Sequence, residues 1–123
     1  MATIEYLGGV PRRAASGPIA ATVRDDTLQL RHSRFFGGWS YRVALTAIDS
    51  AELATAQEVR AGGLLPEAAT AELGQSQGRL LAIVVGGARC PTTIILRGPW
   101  PIIAELRQEI LRGRMRAARQ WHA

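Results

Sequence analysis

The sequence predicts a mainly β domain with one C-terminal helix: seven short antiparallel strands in a sandwich or partly open barrel, capped by an α-helix. Three observations carry this. Apolar and polar residues alternate at period two through most of the first half. Two apolar or β-branched runs of hairpin length follow, Leu80 to Val85 and Thr92 to Leu96. After Arg97 the period becomes that of an amphipathic helix. The chain has 123 residues, which suits a single domain over 1–123, with strands roughly over 3–97, a capping helix roughly over 101–112 and a basic tail over 113–123. Hydrophobic residues make up 47% and charged residues 20%, enough apolar material for one core.

Thr3 to Leu7 is the first strand, stopped by Gly8-Gly9. Gly8 to Pro18 holds three Gly, two Pro and one Ser and reads as a loop carrying Arg12 and Arg13. Ile19, Ala21 and Val23 alternate with Ala20, Thr22 and Arg24; Asp25-Asp26 supplies turn chemistry; Thr27 to His32 resumes the alternation. That is a β-hairpin. Ser33 to Gly38 is the next turn, and Trp39, Tyr41, Val43 and Leu45 share one face of a third meander strand. Thr46 to Ser50 is a corner. Glu52 to Val59 reads as a strand, although its alanines also suit a helix. Ala61 to Gly78 is the longest expected loop, with one helical turn at Glu67 to Leu73. The Leu80 and Thr92 runs pair across Gly86 to Pro91 and are expected to be buried on more than one side. Pro99 and Pro101 open the helix, Ile103, Leu106, Ile110 and Leu111 form its apolar stripe, and Arg107, Gln108 and Arg112 take the other face. Gly113 is read as its interruption.

All fifteen basic residues are Arg, and the net charge is +5. Residues 1–48 carry six Arg against three acids, residues 49–78 one Arg against five acids, and residues 79–123 eight Arg against two acids. Two basic blocks therefore flank an acidic middle. Arg112, Arg114, Arg116 and Arg119 fall within eight residues, near Trp121. Such a run suits anionic lipid or the phosphates of a nucleic acid, and is also the ordinary composition of a solvated helix end.

No catalytic pattern emerges. The single Cys90 excludes an internal disulfide, and together with His32 and His122 it gives no zinc-ligand spacing. Cys90, His32 and Asp49 could be written as nucleophile, base and orienting acid, but their spacing supplies none of the context such triads need. The Gly-Gly pairs match neither phosphate-loop nor dinucleotide motifs. Phe35-Phe36, beside Arg34 and Trp39, form a candidate apolar contact. The longest apolar run is too short to span a bilayer, and the N-terminus lacks the pattern of a secretory signal, so a cytoplasmic protein is expected.

Tyr41-Arg42-Val43-Ala44-Leu45-Thr46-Ala47-Ile48 resembles the end of the fourth strand and the following corner of the pleckstrin-homology superfold, in its small bacterial PH-like or GRAM-like form. Leu80 to Leu96, running into Pro101-Ile102-Ile103-Ala104-Glu105-Leu106, resembles its last hairpin and capping helix. The resemblance implies a binding module for acidic lipid headgroups or peptides, with basic residues in and around the first hairpin's loop; here these are Arg12 and Arg13, with Arg24 and Arg31 alongside. The resulting expectation is a non-enzymatic module without cofactor or metal. It would engage a protein partner or an anionic membrane surface, sitting peripherally at the membrane in the second case. The candidate anionic contacts are Arg12, Arg13, Arg24, Arg31, Arg112, Arg114, Arg116 and Arg119. The alternatives are a structural protein forming homo-oligomers through open strand edges, and a nucleic-acid accessory protein using the Arg-rich tail.

Overall fold

In the computed structural model, which describes residues 4–10, 17–32, 38–62, 79–86 and 92–121, seven strands form one antiparallel sheet. They are β1 (Ile4–Gly8), β2 (Gly17–Arg24), β3 (Thr27–His32), β4 (Trp39–Ala44), β5 (Ile48–Ala54), β6 (Arg79–Val85) and β7 (Thr92–Gly98), in the spatial order β4-β3-β2-β1-β7-β6-β5. The sheet curls strongly. β1 and β4 are three strands apart, roughly 14 Å on a flat sheet, yet the Tyr6 and Trp39 rings meet edge to face with centroids 5.2 Å apart. The gap between the edge strands β4 and β5 is bridged by a 3₁₀ turn, Leu45–Ala47.

The β2–β3 turn shows why this sequence makes a hairpin. Asp25 and Asp26 lie at φ 53° and 59°, the left-handed pair that matches the twist of the flanking strands. Aspartate tolerates this region better than most residues. The Leu45 amide donates to the Asp26 carbonyl at 2.9 Å, tying the 3₁₀ turn to the hairpin tip. Gly9 sits at φ 109°, and a side-chain carbon there would lie 2.0 Å from the Thr93 carbonyl oxygen, so only glycine fits beside the β1 bulge.

The inner face of the sheet carries the core. Tyr6, Leu28, Leu30, Leu81, Ile83, Ile94 and Leu96 are fully enclosed there, together with Leu45 and Ile48. A second, smaller cluster of Leu7, Val59, Leu80 and Ile95 lies on the other face. It exists because a short helix, α1 (Ala56–Ala61), follows β5. The strand expected over Glu52 to Val59 is corrected here: β5 ends at Ala54, and Thr55 caps α1, its Oγ1 accepting from the Glu58 amide at 3.1 Å. Thr55-Ala56-Gln57-Glu58 is a capping-box spacing, and that local signal outweighs the period-two pattern. The expected double-sided burial of the last hairpin holds, since Leu80 and Ile95 face α1's cluster while Leu81, Ile83, Ile94 and Leu96 face the main core.

The C-terminal helix α2 runs from Trp100 to Trp121, 22 residues, well beyond the expected end at 112. Gly113 does not interrupt it. A side-chain carbon there would lie 2.2 Å from Cδ1 of Leu45, so Gly113 is where α2 crosses closest over the 3₁₀ turn. Ile103, Leu106, Ile110, Gly113 and Ala117 make a continuous buried stripe. The basic tail expected over 113–123 is therefore helical through residue 121 and partly packed. Arg107 is a second correction. It does not point to solvent from the far face; its Nε donates to the Ala51 carbonyl at 2.8 Å and its Nη2 pairs with Glu52 at 3.1 Å. It closes a backbone acceptor on the edge strand β5.

Candidate interaction surface

The stripe that buries α2 also determines where its other residues point. At 100° per residue, Leu111, Arg114, Met115 and Ala118 fall on one flank of the buried stripe, and Glu109, Arg112 and Arg116 on the other. The arginines that cluster in the sequence are thus divided in space.

On the first flank, Leu111, Arg114, Met115 and Ala118 join Thr46 of the 3₁₀ turn around an open groove of about 530 Å³. Met115 is 59% exposed, the most exposed large apolar side chain among the described residues. Arg114 borders the groove and has no ion pair among the described residues. An apolar trough with one unpaired cation at its lip can take apolar side chains accompanied by a carboxylate.

On the second flank, Arg112 and Arg116 line a smaller hollow with Arg24 at the β2–β3 turn. Asp25, Asp26 and Glu109 share that lining, so three guanidinium groups face three carboxylates. This hollow is electrically balanced and is a poor seat for an anionic surface. Arg119 is exposed near the helix end.

Arg24 and Arg31 lie on the outer face of β2 and β3, and Arg42 of β4 lies beside them. Reading from the sequence missed Arg42 as a site residue, although its place on the polar parity of its strand was visible. Leu111, expected in the apolar stripe, is corrected here: it is half-buried and lines the groove. Met115 was missed as a contact residue; the spacing of four between the two, one flank away from Ile103, Leu106, Ile110 and Ala117, was the available signal. Nothing in the sequence marks Thr46 or Ala118. Arg12, Arg13, Phe35, Phe36 and Cys90 lie outside the described residues.

His32 is buried on the inner face, its ring stacked on Trp39 at a centroid distance of 5.7 Å. Its Nδ1 makes no hydrogen bond to a described residue. Burial pushes the Tyr6 phenol above the usual tyrosine range, offset in part by the Val10 amide, which donates to its oxygen at 2.8 Å. Among the described residues no group of three or more His, Cys, Asp or Glu side chains is placed to hold a metal ion. No described helix is long and apolar enough to cross a membrane.

In the comparisons with known proteins, no family model, curated protein or solved structure matches this chain.

Proposed function

We propose that this chain is a non-enzymatic, PH-like interaction module that binds a protein partner in the groove between α2 and the 3₁₀ turn. The observation that carries the reading is Met115, mostly exposed within a groove that Leu111 and Ala118 make apolar and Arg114 makes basic. Solvent-facing apolar troughs of this kind are where partner side chains gain most from desolvation. Support for the PH-like reading comes from the chain order: a four-strand meander, a three-strand unit and a terminal helix packed on the 3₁₀ turn, β2, β5, β6 and β7.

The partner segment is an amphipathic helix with an acidic residue beside its apolar stripe. Charge complementarity with Arg114 selects it. A second copy of this chain fits poorly, because a two-fold contact through the groove sets Arg114 against its own symmetry mate. A membrane fits poorly as well, since the outward positions Glu105, Gln108, Arg112 and Arg119 leave α2 no broad apolar face to insert.

The test is an amide-resolved NMR titration with three helical peptides of equal length: an acidic amphipathic one, a basic amphipathic one and a sequence-scrambled acidic one. The acidic amphipathic peptide is expected to shift Thr46, Leu111, Met115 and Ala118 saturably, and Met115→Glu is expected to abolish the effect. Shifts confined to other surfaces, or equal responses to all three peptides, refute the reading. Binding to anionic vesicles through these same residues would assign the groove to membranes instead.

A further inference from the structure

Register places the outward side chains of β2, β3 and β4 in rows. Ala20, Arg31 and Ser40 form one row, Thr22, Gln29 and Arg42 the next, and Arg24, Thr27 and Ala44 the third. Directly opposed side chains in such rows are roughly 5 Å apart. Arg24 and Arg42 reach over the intervening strand from either side, and with Thr27, Gln29 and Asp25 they line a hollow of about 270 Å³. Arg24, Arg31 and Arg42 are exposed and have no ion pair among the described residues.

We infer that this hollow binds a phosphate monoester. Each guanidinium offers a planar fork of N–H donors, and two forks can grip two edges of one phosphate. Gln29 contributes an amide donor at the floor. Arg24 and Arg42 against Asp25 leave the hollow one positive charge in surplus, and Arg31 in the neighbouring row of the same face adds a second; a phosphate monoester dianion balances the two. Nucleic acid is disfavoured on this face. Trp39 and Tyr41 lie on the opposite parity of β4, so among the described residues bases find no ring to stack on along this face. The site shares no lining residue with the α2 groove and does not rest on the partner assigned there.

The experiment is an amide-resolved NMR titration of the full chain with glycerol phosphate, with acetate as control, alongside flotation with phosphatidylcholine vesicles with and without phosphatidic acid. Saturable shifts at Arg24, Thr27, Gln29 and Arg42 with glycerol phosphate, and none with acetate, are expected. Arg24→Gln or Arg42→Gln should weaken binding by about tenfold, the loss that goes with one charge-assisted hydrogen-bonded contact. Arg119→Gln should leave it unchanged. Asp25→Asn should strengthen it, since Asp25 repels the anion. Binding to phosphatidic acid vesicles through the same arginines, in preference to glycerol phosphate, identifies the monoester as a lipid headgroup; binding of glycerol phosphate alone identifies a soluble one. The inference is overturned if neither probe shifts these residues, if acetate binds equally well, or if both Arg→Gln variants bind as the parent does.

Discussion

Replacing Gly113 with alanine sets two effects against each other. In an exposed helix interior the change stabilises by about 1 kcal/mol, because glycine loses more backbone freedom. At Gly113 the added methyl would lie 2.2 Å from Cδ1 of Leu45. Leu45 is fully buried, and the methyl would also lie 3.9 Å from Val23 Cγ1. Leu45 belongs to the main core, so turning its Cδ1 aside means repacking its buried neighbours. Overpacking of this kind costs about 1–3 kcal/mol. The clash wins, and Gly113→Ala should destabilise by about 1 kcal/mol net. Urea unfolding followed by tryptophan fluorescence should show a lower midpoint with an unchanged slope. A double-mutant cycle isolates the cause. In a Leu45→Ala background the clash is gone, and Gly113→Ala should become stabilising. If Gly113→Ala stabilises the parent chain, or destabilises both backgrounds equally, the close crossing of α2 over the 3₁₀ turn is wrong.

Ile110→Ala should cost about 2–5 kcal/mol, the range for truncating a buried branched side chain, read from the same urea unfolding. Arg107→Ala should cost about 1–2 kcal/mol by leaving the Ala51 carbonyl without its donor, whereas Arg119→Ala should stay within about 0.5 kcal/mol; equal effects would contradict the docking of Arg107 on β5. Alkaline pH provides a separate check through Tyr6. Its folded-state pKa lies above the unfolded one, so the associated stability is complete below about pH 10 and declines as pH rises through the folded value. The chain has no Lys to obscure this. Tyr6→Phe should make the fall in unfolding free energy above about pH 10 shallower; an unchanged slope would count against a buried, protonated Tyr6.

The β architecture was legible because period two survives wherever one face of a strand is buried: Leu28 and Leu30 turn inward while Gln29 and Arg31 do not. The change of period after Arg97 marked the helix for the same reason. The errors came from residues whose meaning depends on distant partners. Gly113 looks like a helix break until Leu45 is brought beneath it. Arg107 looks solvent-facing until the β5 edge supplies a carbonyl. Val59 counted as the last member of an alternating set, but the cap at Thr55 turned it under α1 instead. The candidate site was less legible still. Arg112, Arg114, Arg116 and Arg119 form one run in the sequence, yet α2 sends Arg114 to the groove and Arg112 and Arg116 toward Asp25, Asp26 and Glu109. Linear charge density carries no information about that partition. The groove itself joins α2 to Thr46, more than sixty residues earlier, which no local pattern reveals.

The most direct test of the groove is a charge reversal at its lip. Arg114→Glu changes one side chain outside the buried stripe and should leave the fold intact by circular dichroism. Calorimetric titration of the variant with the acidic and basic amphipathic peptides should show the preference inverted: the acidic peptide lost, the basic one gained. A variant that still prefers the acidic peptide, or a parent chain that binds neither, would contradict the assignment of the groove as the partner's seat.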